Sequence, residues 1–345
     1  MQGHRHGAVA PRAWRTTPEY SAVGAHSVVS VLLRTLGLPT DAALESGGRL
    51  HWRNTEIGGT GLDAQGIRRI IDEVPASLGL DNPSVLTSGG QKIVLAGDLA
   101  GAPAVAKIVI VPDGPTADTV IKRAHREVDV LAAVSSLNVV AVLTEAVEIG
   151  DRPDAICWAE ERLSGSDLTP LLRAQWSEDD VWSLLSDLAN GLAACHELEV
   201  VHRDLSPGNV RKTDEGRYVL MDPGLARHLA KTALTGQFQP GTFGFMSPEH
   251  VPGGRPTPAS DIFALGILAF AALTAALPVD PGADEAAYHN RLRTESCPDV
   301  ASIRGDISDE LAAIVNRCLH RQPARRFLDG AELGEAITAA GGASS

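Results

Sequence analysis

Three oxygen-bearing side chains, those of Asp204, Asn209 and Asp222, stand at a spacing that suits the handling of a phosphate chain and its metal ion. The first two lie in the run VHRDLSPGN at residues 201–209, and Asp222 opens a DPG tripeptide thirteen residues after Asn209. Phosphoryl transfer requires a carboxylate that accepts the proton of the attacking hydroxyl, plus an amide oxygen and a second carboxylate that hold magnesium against the triphosphate. The sequence supplies these groups in that order, and the paired loops are far more specific than an isolated HRD.

Two further charged residues precede these loops. Lys107 ends the apolar tetrapeptide AVAK, whose pattern is typical of a strand. Glu127 shares the side of a predicted helix with apolar residues three positions before it and four positions after it. Each would be an ordinary surface charge by itself, but their position upstream of the two loops favours a single site.

Taken in order, these five residues resemble the eukaryotic-like (Hanks-type) serine/threonine protein kinases of bacteria, and the resemblance covers about residues 81–337. It implies an α+β bilobal fold, with a small β-rich lobe at about residues 81–161 and a larger helical lobe at about 165–337. It also implies ATP and Mg²⁺ as cofactors and the Ser or Thr hydroxyls of a protein as acceptors, with self-phosphorylation.

The same resemblance assigns a role to each residue. Asp204 is expected to accept the hydroxyl proton, Lys107 to orient the nucleotide phosphates, and Glu127 to form an ion pair with Lys107. Asn209 and Asp222 are the expected magnesium ligands. The expected nucleotide-binding residues include Leu86, Gly89 and Val94 of a phosphate-covering loop. They also include Glu161 and Leu163 of a hinge whose backbone forms hydrogen bonds with the adenine. Lys107, Asn209 and Asp222 complete the set.

Several positions depart from the family pattern. Only the middle glycine of the phosphate-covering loop, Gly89, is kept, since Thr87 and Lys92 replace the outer ones. Ser206 stands where the main pattern has a phosphate-contacting lysine, and Pro223 replaces the phenylalanine that links the Glu127 helix to the metal loop. These departures leave a pseudokinase scaffold open as an alternative, and a small-molecule phosphotransferase is a second one.

Structural and regulatory residues follow the catalytic run. Glu249 closes the segment GTFGFMSPE and is expected to pair with Arg326, while Asp261 is expected to brace the catalytic loop from below. Between the metal loop and Glu249, Thr232 and Thr235 are the predicted phosphorylation sites of an activation loop.

The composition limits the classes of function. The 345 residues are 44% hydrophobic, ample for a packed core, and the net charge of −13 disfavours a nucleic-acid partner. The four cysteines contain no CxxC pair and are expected to be reduced core thiols. The eighteen-residue uncharged run at 262–279 is expected to be a buried helix rather than a membrane span, and the first thirty residues lack the apolar core of a signal peptide. We therefore expect a cytoplasmic enzyme that binds no membrane.

The hydrophobic period places the elements. Residues 1–80 are expected to form a partly disordered extension, interpreted as a regulatory tail, a misplaced start codon or an organelle-targeting peptide. A short helix at residues 66–78 is expected to dock on the small lobe. Residues 338–345 are expected to form a C-terminal tail. Strands are predicted at residues 84–99, 103–111, 139–148 and 155–161, and helices at 116–134, 177–196, 309–319 and 330–339.

Overall fold

The computed structural model describes residues 62, 64–89, 92–223, 244–250, 255–282 and 284–342. Within them, one antiparallel sheet and its two flanking helices form a small lobe, and further helices with a second, three-stranded sheet form a larger lobe. Gly90 and most of the loop between the metal motif and Glu249 lie outside the described residues.

The small lobe is built on a five-stranded sheet of β1 (Leu80–Gly89), β2 (Lys92–Leu99), β3 (Ala102–Ile110), β4 (Val147–Ile149) and β5 (Ala155–Glu161). The strands lie in the order β1-β2-β3-β5-β4, and every neighbouring pair is antiparallel. The turn between β2 and β3 consists of Ala100 and Gly101, both with positive φ (51° and 82°). A two-residue turn of this kind matches the twist of the flanking strands and therefore fixes their register.

An additional helix, α1 (Ala64–Leu78), covers one face of this sheet, at the position of the expected short helix. Its side chains Ile67, Ile70 and Val74 recur at helical spacing and are buried against β-strand residues such as Ile108. The sheet therefore has no open apolar face on this side, although the residues responsible precede the predicted start of the small lobe.

The opposite face of the sheet packs against α2 (Ala117–Ala132). Val120, Ala124 and Val128 of the helix meet Ile156 and Trp158 of β5. Because side chains alternate along a strand, Lys107 of β3 and Trp158 of β5, which are register partners, point to this same face. Helix α2 and the lysine are thus on one side of the sheet.

The strand predicted at residues 139–148 is wrong for most of its length, since β4 (Val147–Ile149) is the one strand there and the residues before it form isolated bridges. The segment runs between the lobes instead. Val139 bridges to Leu220 in the large lobe, whereas Val142 bridges to Glu160 in the small one. A segment whose pairing partners belong to two different sheets cannot form a continuous strand of either sheet. Its apolar residues are therefore explained by contacts with both lobes.

The large lobe has α4 (Pro258–Thr274) at its centre, and every residue of this helix after the first is buried. A Cβ atom at Gly266 would lie 2.7 Å from Cys318 Cβ, so glycine permits the close approach of α4 to the helix that ends at Cys318. The expected core helix in the uncharged run is confirmed, and no helix among the described residues is long and apolar enough to cross a membrane. The other elements of the lobe are α3 (Glu178–Glu197), β6 (Ser166–Asp167), β7 (Val210–Lys212), β8 (Tyr218–Leu220), α5 (Glu285–Thr294), α6 (Asp309–Cys318) and α7 (Gly330–Ala339).

Two local predictions are also confirmed. Ser177 is the N-cap of α3, and its hydroxyl oxygen accepts a hydrogen bond of 3.1 Å from the backbone N–H of Asp180. The four cysteines are free, and three of them, Cys157, Cys195 and Cys318, are buried. Burial raises the pKa of the Cys195 thiol to about 12, which keeps it protonated at neutral pH.

The packing of α1 leads to a deletion test. We expect removal of residues 1–55 to leave the urea midpoint nearly unchanged, because the described core begins at Ile67. Truncation of one core contact, in Ile70→Ala, should cost about 2–5 kcal/mol. The exposed neighbour Arg68→Ala is the matched control on the same helix. A deletion that destabilises the protein as much as Ile70→Ala does would show that residues 1–55 belong to the small lobe.

Candidate active site

The catalytic-loop segment is held from below by a buried carboxylate, that of Asp261 at the start of α4. Its two oxygens accept hydrogen bonds from the backbone N–H groups of His202 (2.6 Å) and Arg203 (2.9 Å). His196 of α3 donates to the same carboxylate through Nε2 at 3.1 Å. Arg203 adopts a left-handed φ of 68°, which is uncommon outside glycine and is sustained here by these bonds. The predicted brace is therefore present.

Asp204 and Asn209 meet across a short turn. The sequence Ser-Pro-Gly-Asn forms a 3₁₀ turn, Pro207–Asn209, in which the Asn209 backbone N–H bonds to the Ser206 carbonyl at 2.9 Å. The Asn209 amide nitrogen donates to the Asp204 carbonyl (2.7 Å) and to its carboxylate (3.1 Å). This fixes the amide orientation, so that the Asn209 Oδ1 atom is the group directed away from Asp204.

The second loop is tied to the first through the backbone. The Met221 N–H donates to the Asn209 carbonyl at 2.9 Å, and His202 Nε2 donates to the Met221 carbonyl at 3.1 Å. Asp222 follows with a φ of 54°, a second strained backbone position at the site. The loops that carry Asn209 and Asp222 are thus held side by side, as two ligands of one cation must be.

Lys107 joins the two lobes, because its ammonium group pairs with Asp222 of the large lobe. The side chain is 7% exposed and also pairs with Glu160 of β5. Burial would lower the pKa of Lys107, but the carboxylates of Asp222 and Glu160 outweigh it and raise the pKa to about 12. The lysine is therefore a permanent cation at the cleft.

The predicted ion pair between Lys107 and Glu127 is not found among the described contacts. Glu127 instead accepts from Arg123 Nε at 3.0 Å, one turn earlier on α2. Burial raises the pKa of Glu127, opposed by the charges of Arg123 and Arg203. Lys107 pairs instead with a carboxylate on the adjacent strand.

Glu160 is the carboxylate partner of Lys107 that the sequence interpretation missed. It is 1% exposed, and its second oxygen accepts a hydrogen bond of 2.9 Å from Trp158 Nε1. Residues two apart on a strand share a face, so Trp158, Glu160 and the register partner Lys107 converge. An acidic residue near the end of an otherwise apolar strand was the available signal, since a buried carboxylate requires a cationic partner.

The structure places most of the predicted nucleotide-binding residues of the small lobe on three of its strands. Val94 is the register partner of Lys107 on β2, while Leu86 is 49% exposed on β1 and Gly89 ends that strand. Glu161 ends β5, and its side chain accepts from the Ala141 N–H at 2.9 Å.

Leu163 differs from Glu161 in its backbone contacts. Its N–H and C=O groups have no hydrogen-bond partner in the part of the chain that the structure describes. They are therefore free to bind a planar ring with donor and acceptor edges, as a hinge requires.

The residues present fit a hard cation held together with phosphates. The side-chain oxygen of Asn209 and the carboxylate of Asp222 are the donor types that Mg²⁺ prefers. No cluster of three or more His, Cys, Asp or Glu side chains that could hold a metal ion occurs in the described ranges. Magnesium sites of one or two protein ligands are completed by substrate oxygens and water.

The predicted pair between Glu249 and Arg326 is present and bidentate, with N–O distances of 2.7 and 2.8 Å. Arg326 is almost fully buried and also donates to backbone carbonyls of Ala259 and His320. Burial would raise the pKa of Glu249, but the hydrogen bonds and charge of Arg326 outweigh it and lower that pKa. The pair anchors the segment that follows the activation loop.

The sequence comparisons agree with this geometry. The model for the protein kinase domain matches residues 98–331, which is more than half of the chain. The chain therefore belongs to the protein kinase family, and both the predicted Hanks-type resemblance and the α+β bilobal fold are confirmed.

Several bacterial relatives are similar over this region. The serine/threonine-protein kinase PknK of Mycobacterium tuberculosis is 29% identical over 285 residues, 81% of this chain and 25% of that protein. PknA of Corynebacterium glutamicum is 28% identical over 74% of this chain and 55% of its own length. The match thus spans a quarter to about half of these relatives.

The buried Glu249–Arg326 pair generates a stability prediction. Glu249→Gln leaves the Arg326 cation buried without its charge partner, so we expect a loss of about 3–5 kcal/mol in the free energy of unfolding at neutral pH. Because the folded-state pKa of Glu249 is lowered, the stabilisation is present above its ordinary pKa and is lost as the pH falls through the lowered value.

Urea unfolding across a pH series measures both effects. Glu148→Gln is the matched control, because Glu148 is half exposed in its pair with His125 and should contribute less than about 1 kcal/mol. Equal losses in the two variants would contradict an anchoring role for the Glu249 pair.

Proposed function

We propose that the chain is an ATP- and Mg²⁺-dependent protein kinase that transfers the γ-phosphate to Ser or Thr hydroxyls, including its own. The observation that supports this most is the contact of Lys107 with Asp222, which brings a phosphate-binding cation and a metal-binding carboxylate together across the cleft. The printed names of the bacterial relatives support the choice of serine and threonine as acceptors. The cytoplasmic location and the lack of a nucleic-acid partner stay predictions.

Each residue has a defined task in this proposal. Asp204 accepts the proton of the acceptor hydroxyl, and the hydrogen bond from Asn209 holds its carboxylate in place. Lys107 binds the phosphate oxygens of the nucleotide. Asn209 and Asp222 hold magnesium, which, when bound, neutralises charge that develops on the β- and γ-phosphates. Leu163 offers its backbone groups to the adenine, while Leu86, Gly89 and Val94 cover the nucleotide.

Replacement of Asp204 in the catalytic loop and of Asp222 in the metal loop tests these roles. We expect Asp204→Asn to lower kcat by about 10²–10⁴-fold, because the general base is lost while nucleotide contacts remain. Asp222→Asn should abolish transfer and also weaken the metal dependence of nucleotide binding, since it removes a ligand. Transfer of labelled phosphate from ATP to a Ser/Thr-containing protein, together with calorimetric ATP binding, measures both.

The exposed carboxylate variant Asp214→Asn is the control for this series, because Asp214 lies on the turn between β7 and β8 outside the site. Undiminished transfer by Asp204→Asn would refute its role as base. A wild-type chain that binds ATP without transfer would instead favour the pseudokinase alternative, and transfer restricted to small alcohols would favour the phosphotransferase.

Control by loop phosphorylation is a further part of the proposal. Thr232 and Thr235 lie outside the described residues, but Arg203, beside the catalytic Asp204, does not. Burial lowers the pKa of Arg203; Glu127 and Asp261 oppose this, whereas Arg123 and Arg255 add to it. Three guanidinium groups in one neighbourhood suit a phosphate, which they can bind with charge-assisted hydrogen bonds.

The double variant Thr232→Ala/Thr235→Ala tests this control. We expect it to transfer phosphate as slowly as phosphatase-treated parent protein, with rates measured on the same acceptor. Phosphatase should slow the parent and leave the double variant unaffected. If the double variant matches the untreated parent and phosphatase slows neither, loop phosphorylation does not govern the enzyme.

A further inference from the structure

We propose that Glu160, at the end of strand β5, is the residue that positions Lys107 for catalysis, and that Glu127 of helix α2 does not perform this task. The inference rests on the proposed function, since it concerns the lysine that binds the nucleotide phosphates. It assigns a positioning role to a buried residue beside the adenine hinge, and it separates the lysine from the helix that faces it.

The contacts of Glu160 are those of a dedicated holder. One carboxylate oxygen pairs with the Lys107 ammonium, and the other accepts from Trp158 Nε1 at 2.9 Å. Lys107 and Trp158 are register partners on adjacent strands, so backbone hydrogen bonds of the sheet fix all three side chains relative to one another. The holder therefore belongs to the same rigid sheet as the lysine.

The charges at the site show why this partner is needed during turnover. In the structure Lys107 pairs with two carboxylates, those of Glu160 and Asp222. In the proposed reaction Asp222 is a magnesium ligand, so its negative charge is shared with the cation. Glu160 is then the remaining anion in contact with the lysine, and an ammonium group has three donors, which suffice for Glu160 and for phosphate oxygens together.

Glu127 is occupied in a different network. It pairs with Arg123 on its own helix, and its pKa is also influenced by Arg203 of the catalytic loop. One of its oxygens, Oε2, is buried with no hydrogen-bond partner among the described residues. Glu127 is thus engaged with guanidinium groups of its own helix and of the catalytic loop, whereas Lys107 is held by a carboxylate of the sheet.

The variant Glu160→Gln separates charge from shape. The side chain keeps its size, but it has one acceptor oxygen for two donors, Trp158 Nε1 and the Lys107 ammonium. Whichever donor the oxygen does not bind then faces the amide N–H₂ group, which cannot accept its hydrogen bond. Loss of a hydrogen bond to a charged group changes an equilibrium by about 10–100-fold. We therefore expect Glu160→Gln to lower kcat/KM for ATP by about 10–100-fold, with KM for the protein acceptor unchanged.

The comparison variants are Glu127→Gln and the exposed Glu148→Gln. Steady-state transfer at varied ATP and varied acceptor gives the two KM values, calorimetry gives the ATP dissociation constant, and thermal melting verifies folding. The proposal is supported when Glu160→Gln loses more kcat/KM for ATP than Glu127→Gln and Glu148→Gln retains wild-type values. It is overturned when Glu127→Gln loses as much as Glu160→Gln or more.

The shorter carboxylates Glu160→Asp and Glu127→Asp provide a second comparison if Glu160→Gln does not fold. Both keep the charge and withdraw it by one methylene, so the expected order is the same: a several-fold weaker ATP affinity for Glu160→Asp than for Glu127→Asp. The reverse order overturns the proposal. A wild-type chain that binds ATP but transfers no phosphate contradicts the proposed function alone, because the ATP dissociation constants of the variants still decide the role of Glu160.

Discussion

The buried carboxylate of Asp261 is the constraint on which the rest of the site depends. Its oxygens accept hydrogen bonds from two backbone N–H groups of the catalytic loop and from a ring nitrogen of His196. These bonds sustain the strained backbone at Arg203. The carboxylate lies on the buried helix α4. Its burial is tolerated because the three hydrogen-bond donors offset the free-energy cost of desolvation. From this anchor the contacts continue through Asn209 and the backbone of Met221 to the metal loop.

The second half of the site depends on one cation shared between the lobes. Lys107 is fixed by the small-lobe sheet through Glu160 and reaches Asp222 in the large lobe. A pair of this kind is costly to bury unless both partners have further hydrogen bonds. In the proposed reaction, the lysine and the aspartate are the groups that a metal–nucleotide complex would bind. Binding of that complex would therefore give both buried charges new partners.

The sequence predicts the parts of the site that local chemistry determines. The catalytic and metal loops, the Ser177 cap and the bidentate Glu249–Arg326 pair follow from residue types at fixed spacing or from the family pattern. It does not predict the partner of Lys107, since Glu127 and Glu160 are both acidic residues next to apolar runs and only the sheet register decides between them. The strand prediction for residues 139–148 was wrong for a similar reason, because this segment has pairing partners in both lobes.

Intact-mass measurement of the purified chain, incubated with ATP and Mg²⁺, tests the central claim most directly. The account predicts mass increments of whole phosphate groups that appear with time, that require the divalent ion, and that are absent from a Lys107→Met variant. Peptide mapping should place the phosphate on Ser or Thr. An unchanged mass in a chain that binds ATP would contradict the account, because the cleft would then hold a nucleotide without carrying out phosphoryl transfer.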